Sequence, residues 1–322
     1  MRCLFIHCAT DNQLHHHRLH RPTATTTPTA TPYCNNVPQQ LHQRRSHSSA
    51  TTNQQTGAEP TPILRSDYEP PRYNVPKVSL DFDLGAERTQ VKSQLTVTPN
   101  FAGTGVEAAA SATQVTTNGP LELCGDGVHL EGIKINGHCV QSEVKLDAGK
   151  LVVPEEVLRQ SLQTTDNGDE TKSFVVDIDS SIKPRENASG AGLYMDGGGS
   201  FMTQCEAHGF QKIAFFPDRP DILSLYDVTV RGAAEDVPVL LSNGNLVSES
   251  NDGKHHTVVW RDPHPKPCYL FALVGGQLAH IHDTFTTASG RVVDLFLYSE
   301  PKDQADLQWA MTFLKQRMAW DE

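Results

Sequence analysis

The most regular hydrophobic pattern of the chain begins at Tyr73, where apolar and polar residues alternate as far as Asp83. The alternation resumes after a turn near Gly85. Because successive side chains of an extended strand point to opposite faces, a period of two predicts two half-buried strands. The apolar positions of these strands are Val75, Val78, Leu80, Phe82, Leu84, Val91, Leu95 and Val97.

Short strand-like runs recur through the rest of the chain and are separated by turn signals, namely Asn-Gly at Asn136 and Asn243 and Ser-Gly at Ser289. The Ala-, Thr- and Gly-rich segment 103–119 is predicted to be a loop insertion. Many short strands with few helical stretches predict an all-β sandwich or a curved multi-sheet domain. The predicted runs are 121–123, 128–135, 150–153, 173–178, 212–216, 226–231, 239–241, 256–260, 269–275 and 292–298.

The end of the chain changes to a helical period, with apolar residues at i, i+4, i+7 and i+11. This spacing predicts one stripe of an amphipathic helix. The helix must bury its stripe, so either it packs on the β domain or it leads into a neighbouring domain. The stripe consists of Leu307, Met311, Leu314 and Met318, widened by Trp309 and Phe313.

The first sixty residues differ in composition from everything that follows. Asp11 is the single acid before residue 59, among several Arg and many His, Thr, Ser, Gln and Pro. Such a segment buries too little apolar surface to offset its chain entropy, and an acid-poor leader with Arg and Ser is typical of organelle transit peptides. We therefore expect residues 1–60 to be a leader. Residues up to about Gly57 are expected to be disordered and to be removed on import. The expected location is the chloroplast or the mitochondrion, and otherwise the cytoplasm. We interpret the histidine cluster of the leader as low-complexity sequence rather than a metal site; it comprises His15, His16, His17 and His20.

Net charge and cysteine spacing limit the classes of partner and site. The formal charge is -11 at pH 7, which disfavours nucleic acid and anionic membranes because both are polyanions. No run approaches the ~18 apolar residues of a transmembrane helix. The seven cysteines include no C-x-x-C pair, which disfavours zinc ribbons and disulfide frameworks and predicts reduced thiols in an intracellular compartment.

Candidate binding chemistry occurs between Gly192 and Phe210, where a glycine-rich run precedes two polar residues. Gln204 and Glu206 stand at i and i+2, which places both side chains on one face of an extended strand. A carboxylate beside an amide carbonyl offers acceptors and negative charge, so the pair suits an ammonium group such as a free peptide N-terminus. The alternative is that both residues form the solvent face of a half-buried strand. Cys205 between them is predicted to lie in the core.

Longer motifs occur in order along the chain. The most specific are T-Q-C-E-A-H-G-F from Thr203 and D-P-H-P-K-P-C-Y-L-F-A-L-V from Asp262. Together with D-Y-E-P-P-R-Y from Asp67 and the final W-A-M-T-F-L-K-Q-R-M-A-W-D-E, they resemble the amino-terminal domain of the bacterial-type aminopeptidase N family, the zinc alanyl aminopeptidases. The resemblance runs from about Arg65 to Glu322.

The resemblance implies a saddle-shaped β domain over residues 61–300 and, over residues 301–322, the start of a helix that leads into a catalytic domain. It implies that Gln204 and Glu206 hold the α-ammonium group of the substrate. It also implies that the full-length family member uses zinc to release N-terminal amino acids from peptides with a free N-terminus.

The catalytic zinc motif of that family does not occur among these 322 residues. A zinc aminopeptidase needs two His at i and i+4 with a Glu between them, and neither H-E-x-x-H nor G-A-M-E-N is found. We interpret His280, His282 and Asp283 as residues of the solvent-exposed face of a strand rather than a metal site. The glycines at 197–199 stand between strands, which predicts a hairpin turn rather than a phosphate loop. We therefore assign no catalytic residue, metal ligand or cofactor to this chain and expect it to be inactive alone.

Three interpretations remain open. The leading hypothesis is the N-terminal β domain of an organelle-targeted zinc aminopeptidase, cut before its catalytic domain as in a partial gene model or a splice product. The second is a stand-alone, non-catalytic module that binds free N-termini or docks on a full-length aminopeptidase. The third is a β-sandwich interaction domain without a ligand. An open reading frame beyond Glu322 that supplies H-E-x-x-H would establish the first.

Overall fold

A computed structural model of the chain describes residues 5–10, 64–101, 117–163 and 173–322. β-Strands are the commonest element, so the multi-sheet, all-β prediction is confirmed. The predicted loop insertion lies mostly outside the described residues. In chain order the described elements are β1 (Phe5–Thr10), β2 (Tyr73–Asp83), β3 (Thr89–Pro99), β4 (Leu121–Cys124), β5 (His129–Ile135), β6 (His138–Cys139), β7 (Lys145–Asp147), β8 (Lys150–Val153), α1 (Glu155–Gln163), β9 (Phe174–Ile182), β10 (Gly192–Met195), β11 (Phe201–Gln204), β12 (Ser224–Ala233), β13 (Val239–Ser242), β14 (Asn245–Asn251), β15 (His255–Lys266), β16 (Leu273–Gly276), β17 (Ala279–Thr286), β18 (Val292–Ser299) and α2 (Leu307–Asp321).

The chain forms two compact units, one of Met1–Asp11 with Glu69–Glu322 and one of Asn12–Tyr68. In the second unit the described residues form a 3₁₀ turn, Arg65–Asp67. The predicted leader of residues 1–60 lies outside the described residues, apart from the backbone of β1. The sheets and the candidate site described below all belong to the first unit.

The largest sheet has eight strands in the order β14-β15-β12-β2-β3-β9-β5-β6. Its ladders are antiparallel except that between β12 and β2, which is parallel and sets Leu225 opposite Lys77. Burial alternates along β2 and β3, as the hydrophobic pattern predicts. The alternation is interrupted between Asn74 and Lys77 because a β-bulge shifts the register there.

A four-stranded sheet, in the order β10-β11-β16-β13, carries the candidate site. Its buried side chains join the core of the large sheet in one continuous apolar cluster that includes Leu193, Phe201 and Leu273. A short sheet, β4-β8-β7, contributes Leu121 and Leu151 to the same cluster. The hairpin formed by β10 and β11 therefore packs against the hydrophobic core.

The third sheet, β1-β18-β17, packs against α2 over a separate apolar cluster. Leu307 and Met311 of the predicted helical stripe are buried there against Leu295 and its neighbours, so the helix buries its stripe on a sheet of the same unit. The predicted widening of the stripe is wrong: Trp309 is 74% exposed and Phe313 is 42% exposed, because both lie off the buried stripe.

Two sequence predictions of local structure are wrong. Residues 212–216 do not form a strand: a 3₁₀ turn, Phe210–Lys212, leads into an irregular buried segment that makes one isolated bridge between Phe216 and Cys124. In the predicted run 269–275, a 3₁₀ turn at Cys268–Leu270 comes first and β16 begins only at Leu273. An all-apolar run has no period that separates a strand from a buried coil.

Candidate functional site

Gln204 and Glu206 lie at the open end of a β-hairpin. Gln204 is the last residue of β11, where it pairs with Gly192 of β10. Glu206 follows in a turn, so the prediction that both residues lie on one strand is wrong. The strand ends because the Gly209 amide donates to the Cys205 carbonyl at 2.7 Å and folds the backbone back. Gln204 and Glu206 are both exposed. Cys205 between them is buried, as the sequence predicts.

The closed end of the hairpin confirms the predicted glycine turn. Asp196 Oδ1 accepts hydrogen bonds from the Gly198 amide at 3.0 Å and from the Ser200 amide at 2.8 Å. Gly199 has φ +87°, a left-handed conformation that favours glycine. This turn fixes the register of β10 on β11, which places Gln204 at the opposite end of the hairpin.

The turn that carries Glu206, residues 205–209, is called here the binding turn. It packs directly against backbone, because a Cβ on Gly209 would lie 2.3 Å from the Gln204 carbonyl oxygen and 3.0 Å from the Gly192 amide nitrogen. Such distances leave no space for a side chain. The glycine therefore lets the turn close tightly onto the start of β10.

Aromatic packing anchors the chain immediately after the binding turn. Phe210 is fully buried, and its ring centroid lies 5.1 Å from that of Phe216 and 5.3 Å from that of Phe271. Both contacts are edge-to-face, an arrangement worth about 0.5–1.5 kcal/mol beyond area burial. The turn is thus held at its end by the core of the unit.

The strand before the binding turn is fixed by side-chain hydrogen bonds as well as by its ladder. Thr203 Oγ1 accepts from the Leu273 amide at 2.8 Å and donates to the Leu273 carbonyl at 3.1 Å. These bonds tie β11 to β16 at the position next to Gln204. The two candidate side chains therefore project from a backbone that is anchored on both sides.

The exposed groups of the site are acceptors. Gln204 Nε2 donates to the Glu206 backbone carbonyl at 3.3 Å, so the amide carbonyl is the group that Gln204 can offer to a cation. Glu206 adds a carboxylate. An amide carbonyl and a carboxylate two residues apart, at the start of an anchored turn, are acceptors suited to binding an ammonium group.

Cys205 does not extend this chemistry. The side chain is 2% exposed, and burial, assisted by the negative charge of Asp218, raises its pKa to about 12. A thiol with that pKa is protonated at neutral pH and is a poor nucleophile. The prediction that Cys205 belongs to the core is confirmed.

His280 and His282 both contact aromatic rings, and the ring centroid of His280 lies 5.3 Å from that of Tyr298. His282 Nε2 lies 2.7 Å from Asp294 Oδ1, and its ring stacks on Phe296 with centroids 4.5 Å apart. Asp283 forms an ion pair with Lys315 at 2.8 Å. The described residues contain no group of three or more His, Cys, Asp or Glu that is able to hold a metal ion, so they do not fit a zinc site. The histidine cluster at 15–20 lies outside the described residues.

Two supporting residues were not predicted as part of the site. Asp218 is buried and accepts a hydrogen bond at 3.0 Å from the amide of Gln211, two residues after the binding turn. Cys268 donates to the other oxygen of the same carboxylate. Their separation of 50 positions along the chain follows no helical or strand period, so no sequence pattern pairs them.

Comparison with known proteins gives consistent results. The family model "Peptidase M1 N-terminal domain" matches residues 69–270. The chain is 38% identical to aminopeptidase N of Caulobacter vibrioides and 36% identical to aminopeptidase N of Escherichia coli, each over 265 residues. Each match covers 82% of this chain and 27% of the relative, so the chain spans about a quarter of their length.

Comparison with solved structures also finds peptidases. The crystal structure of Legionella pneumophila aminopeptidase A in complex with aspartic acid matches with a TM-score of 0.67 and 31% identity, over 80% of this chain and 27% of that one. An M1 zinc metallopeptidase from Deinococcus radiodurans, bound to a Tyr-Ser-Ala substrate, matches with a TM-score of 0.51 at 15% identity, over 69% of this chain and 46% of that one. The second match concerns the fold alone.

Proposed function

We propose that this chain, which belongs to the family of peptidase M1 N-terminal domains, supplies the α-ammonium site of a zinc aminopeptidase through Glu206 and Gln204. The observation that carries the proposal is that an exposed amide at Gln204 and an exposed carboxylate at Glu206 flank buried Cys205 at the start of an anchored turn. The relatives at 36–38% identity are aminopeptidases, enzymes that act at a free N-terminus.

The chemistry of the pair accounts for that requirement. An ammonium group that meets a carboxylate in a water-poor cleft forms a charge-assisted hydrogen bond, about twice as strong as a neutral one. An internal peptide bond carries no such charge, so it would leave the Glu206 carboxylate unpaired. The pair thus selects substrates by their free N-terminus, and peptides are the proposed partners.

The chain provides binding rather than the chemical step. Its described residues do not fit a zinc site and its sequence lacks H-E-x-x-H, so the proposal assigns no zinc ligand to this chain. We assign no proton transfer and no nucleophile to this chain. Among the described residues no helix is both long and apolar enough to cross a membrane, and the net charge of -11 disfavours nucleic acid and anionic membranes as partners.

The proposed location is a chloroplast or mitochondrion. The proposal rests on the acid-poor composition of the first sixty residues. Sequencing the N-terminus of the protein purified from its source tests it: a start close to Gly57 supports import and processing, whereas an abundant form that keeps Met1 contradicts them.

The binding role is testable in a chimera in which residues 69–322 replace the matching segment of Escherichia coli aminopeptidase N. Glu206→Gln removes the charge and keeps the shape of the side chain. We expect it to lower kcat/KM for an alanyl anilide at least about 30-fold, the lower end of the about 2–5 kcal/mol that follows loss of one partner of a buried charge pair. Gln204→Ala should lower it less, because an amide offers only a dipole.

Glu122→Gln is the matched control, since Glu122 is an exposed carboxylate on β4 that pairs with Lys150. It should leave kcat/KM unchanged. A second measurement uses the 322-residue chain alone, in which alaninamide should shift the amide resonances of Glu206 and Ala207 more than N-acetylalaninamide does. Near-normal kinetics of the Glu206→Gln chimera, or equal shifts with both amides if the chimera does not assemble, would refute the binding role.

A further inference from the structure

A buried carboxylate connects the binding turn to a distant part of the chain. Asp218 is 7% exposed, and its Oδ2 accepts a hydrogen bond from the Gln211 amide at 3.0 Å. Its Oδ1 accepts from the Cys268 thiol, with an S–O distance of 3.1 Å. Gln211 follows the binding turn by two residues, and Cys268 opens the 3₁₀ turn before β16. One side chain therefore joins two segments that lie far apart in sequence.

The Cys268 thiol is the donor in this contact. The residue is 1% exposed, and burial, followed by the negative charge of Asp218, raises the pKa of the thiol. The S–H group is therefore retained at neutral pH and directed at the carboxylate. A buried carboxylate without donors is costly, and here an amide and a thiol each hydrogen-bond one of its oxygens.

The position of Glu206 depends on what holds the binding turn at its two ends. Cys205 is buried at one end, and the Gly209 amide bonds back to its carbonyl. At the other end the backbone passes through Phe210 to the Gln211 amide, where Asp218 takes the hydrogen bond. A hydrogen bond to a charged acceptor is about twice as strong as a neutral one, so Asp218 is a strong constraint on the path of the turn.

We propose that Asp218 and Cys268 are positioning residues for Glu206: Asp218 holds the end of the binding turn, and the Cys268 thiol holds Asp218. The proposal rests on the proposed function of Glu206 in binding the substrate ammonium. Neither residue reaches the substrate; both act through the backbone of the turn. A displacement of about 1 Å in a substrate-positioning group is able to cost about 100-fold in rate, so a small movement of the turn has a measurable effect.

The first test measures backbone hydrogen exchange in the 322-residue chain. Cys268→Ala should raise the exchange rate of the Gln211 amide about tenfold or more, because its acceptor loses its own partner. Ser180→Ala is the matched control, since Ser180 is equally buried and its Oγ donates to the Val91 carbonyl at 3.1 Å, in the eight-stranded sheet. The control should leave exchange at Gln211 unchanged. Unchanged exchange at Gln211 in Cys268→Ala would overturn the positioning role.

The second test measures kinetics in the chimera with Escherichia coli aminopeptidase N. Cys268→Ala should raise KM for a free-amine substrate and lower kcat/KM about tenfold. Cys268→Ser keeps a donor and should recover most of the loss. In a Glu206→Gln background, Cys268→Ala should have no further effect, because its effect passes through Glu206. Asp218→Asn, if it folds, should behave like Cys268→Ala.

The outcomes separate the two proposals. If Glu206→Gln has no effect on kinetics while Cys268→Ala still raises exchange at Gln211, the ammonium site fails and the support of the turn stands. If Glu206→Gln lowers kcat/KM while Cys268→Ala changes neither exchange nor kinetics, the ammonium site stands and the positioning role fails. An equal loss from Cys268→Ala in both Glu206 backgrounds also refutes it, because that result indicates a general structural effect.

Discussion

Replacing Gly209 by alanine tests whether close backbone packing holds the binding turn. A Cβ at this position would lie 2.3 Å from the Gln204 carbonyl oxygen, 2.7 Å from Cys205 Cα and 3.0 Å from the Gly192 amide nitrogen. Ordinary contacts between heavy atoms lie at about 3.5–4.0 Å. All three neighbours are backbone atoms, so a change of rotamer does not relieve the overlap and the turn itself must move.

The expected loss of stability follows from two opposing terms. Overpacking of a closely packed site costs about 1–3 kcal/mol, and backbone overlap belongs at the upper end of that range. Alanine also restricts the unfolded chain, which returns about 0.4–1 kcal/mol. The net expectation for Gly209→Ala is a loss of about 2 kcal/mol.

Urea unfolding followed by circular dichroism measures this loss, with Gly197→Ala as the control. Gly197 lies in the turn at the other end of the same hairpin, and a Cβ there has no heavy atom within 4 Å. The control should be neutral or slightly stabilising, by up to about 1 kcal/mol. The two variants are compared by their unfolding midpoints and by the slope of the unfolding free energy against urea concentration. Equal midpoints at an unchanged slope would refute the argument that close packing shapes the turn.

Three further predictions concern other parts of the unit. Phe210→Ala should destabilise the chain by about 3–5 kcal/mol in urea unfolding, because it empties the centre of an aromatic cluster; a loss below about 1 kcal/mol would contradict the proposed anchor. With iodoacetamide under native conditions, exposed Cys139 should be labelled before Cys205 and Cys268, whose thiol pKa values are raised by burial; equal labelling rates would contradict their burial. Burial also lowers the pKa of Lys266 below 10.5. The folded state then binds fewer protons than the unfolded state as pH rises from that lowered pKa towards 10.5, so this group makes the free energy of unfolding increase over that window. The free energy of unfolding of the wild type minus that of Lys266→Met should therefore increase with pH over that window. A difference that does not change with pH would refute the lowered pKa of Lys266.

The sequence predicts best where one face of an element is buried and the other is wet. The alternation of apolar residues locates β2 and β3 correctly, and the spacing of Leu307 and Met311 identifies α2. In these elements the spacing of apolar residues in the sequence matches the spacing at which the strand or helix returns side chains to its buried face. Cys205 is buried between exposed Gln204 and Glu206 as the alternation predicts, although Glu206 lies in a turn beyond the end of β11.

The rest depends on contacts between residues that are distant in sequence. The end of β11 at Gln204 is set by a turn that closes on Gly192, and the support of that turn passes through Asp218 to Cys268. Residues 213–216 lack a period because all four side chains are buried, so an irregular backbone has the same apolar sequence as a strand. Trp309 stands two positions from both Leu307 and Met311, which places it on the other face of α2, and the sheet beneath the helix covers only the stripe.

The single parallel ladder of the large sheet limits when that sheet is able to form during synthesis. It joins β2 to β12, and the Asp81–Arg231 contact across it links residues 150 positions apart. The ribosome must therefore release the whole intervening chain before the ladder forms, and closing so long a loop carries an entropic cost that slows folding. The hairpin with Gln204 lies inside that loop. The edges of β2 and β12 consequently stay unpaired in the nascent chain until late in translation, and unpaired edges of this kind are where chaperones and aggregation compete with folding.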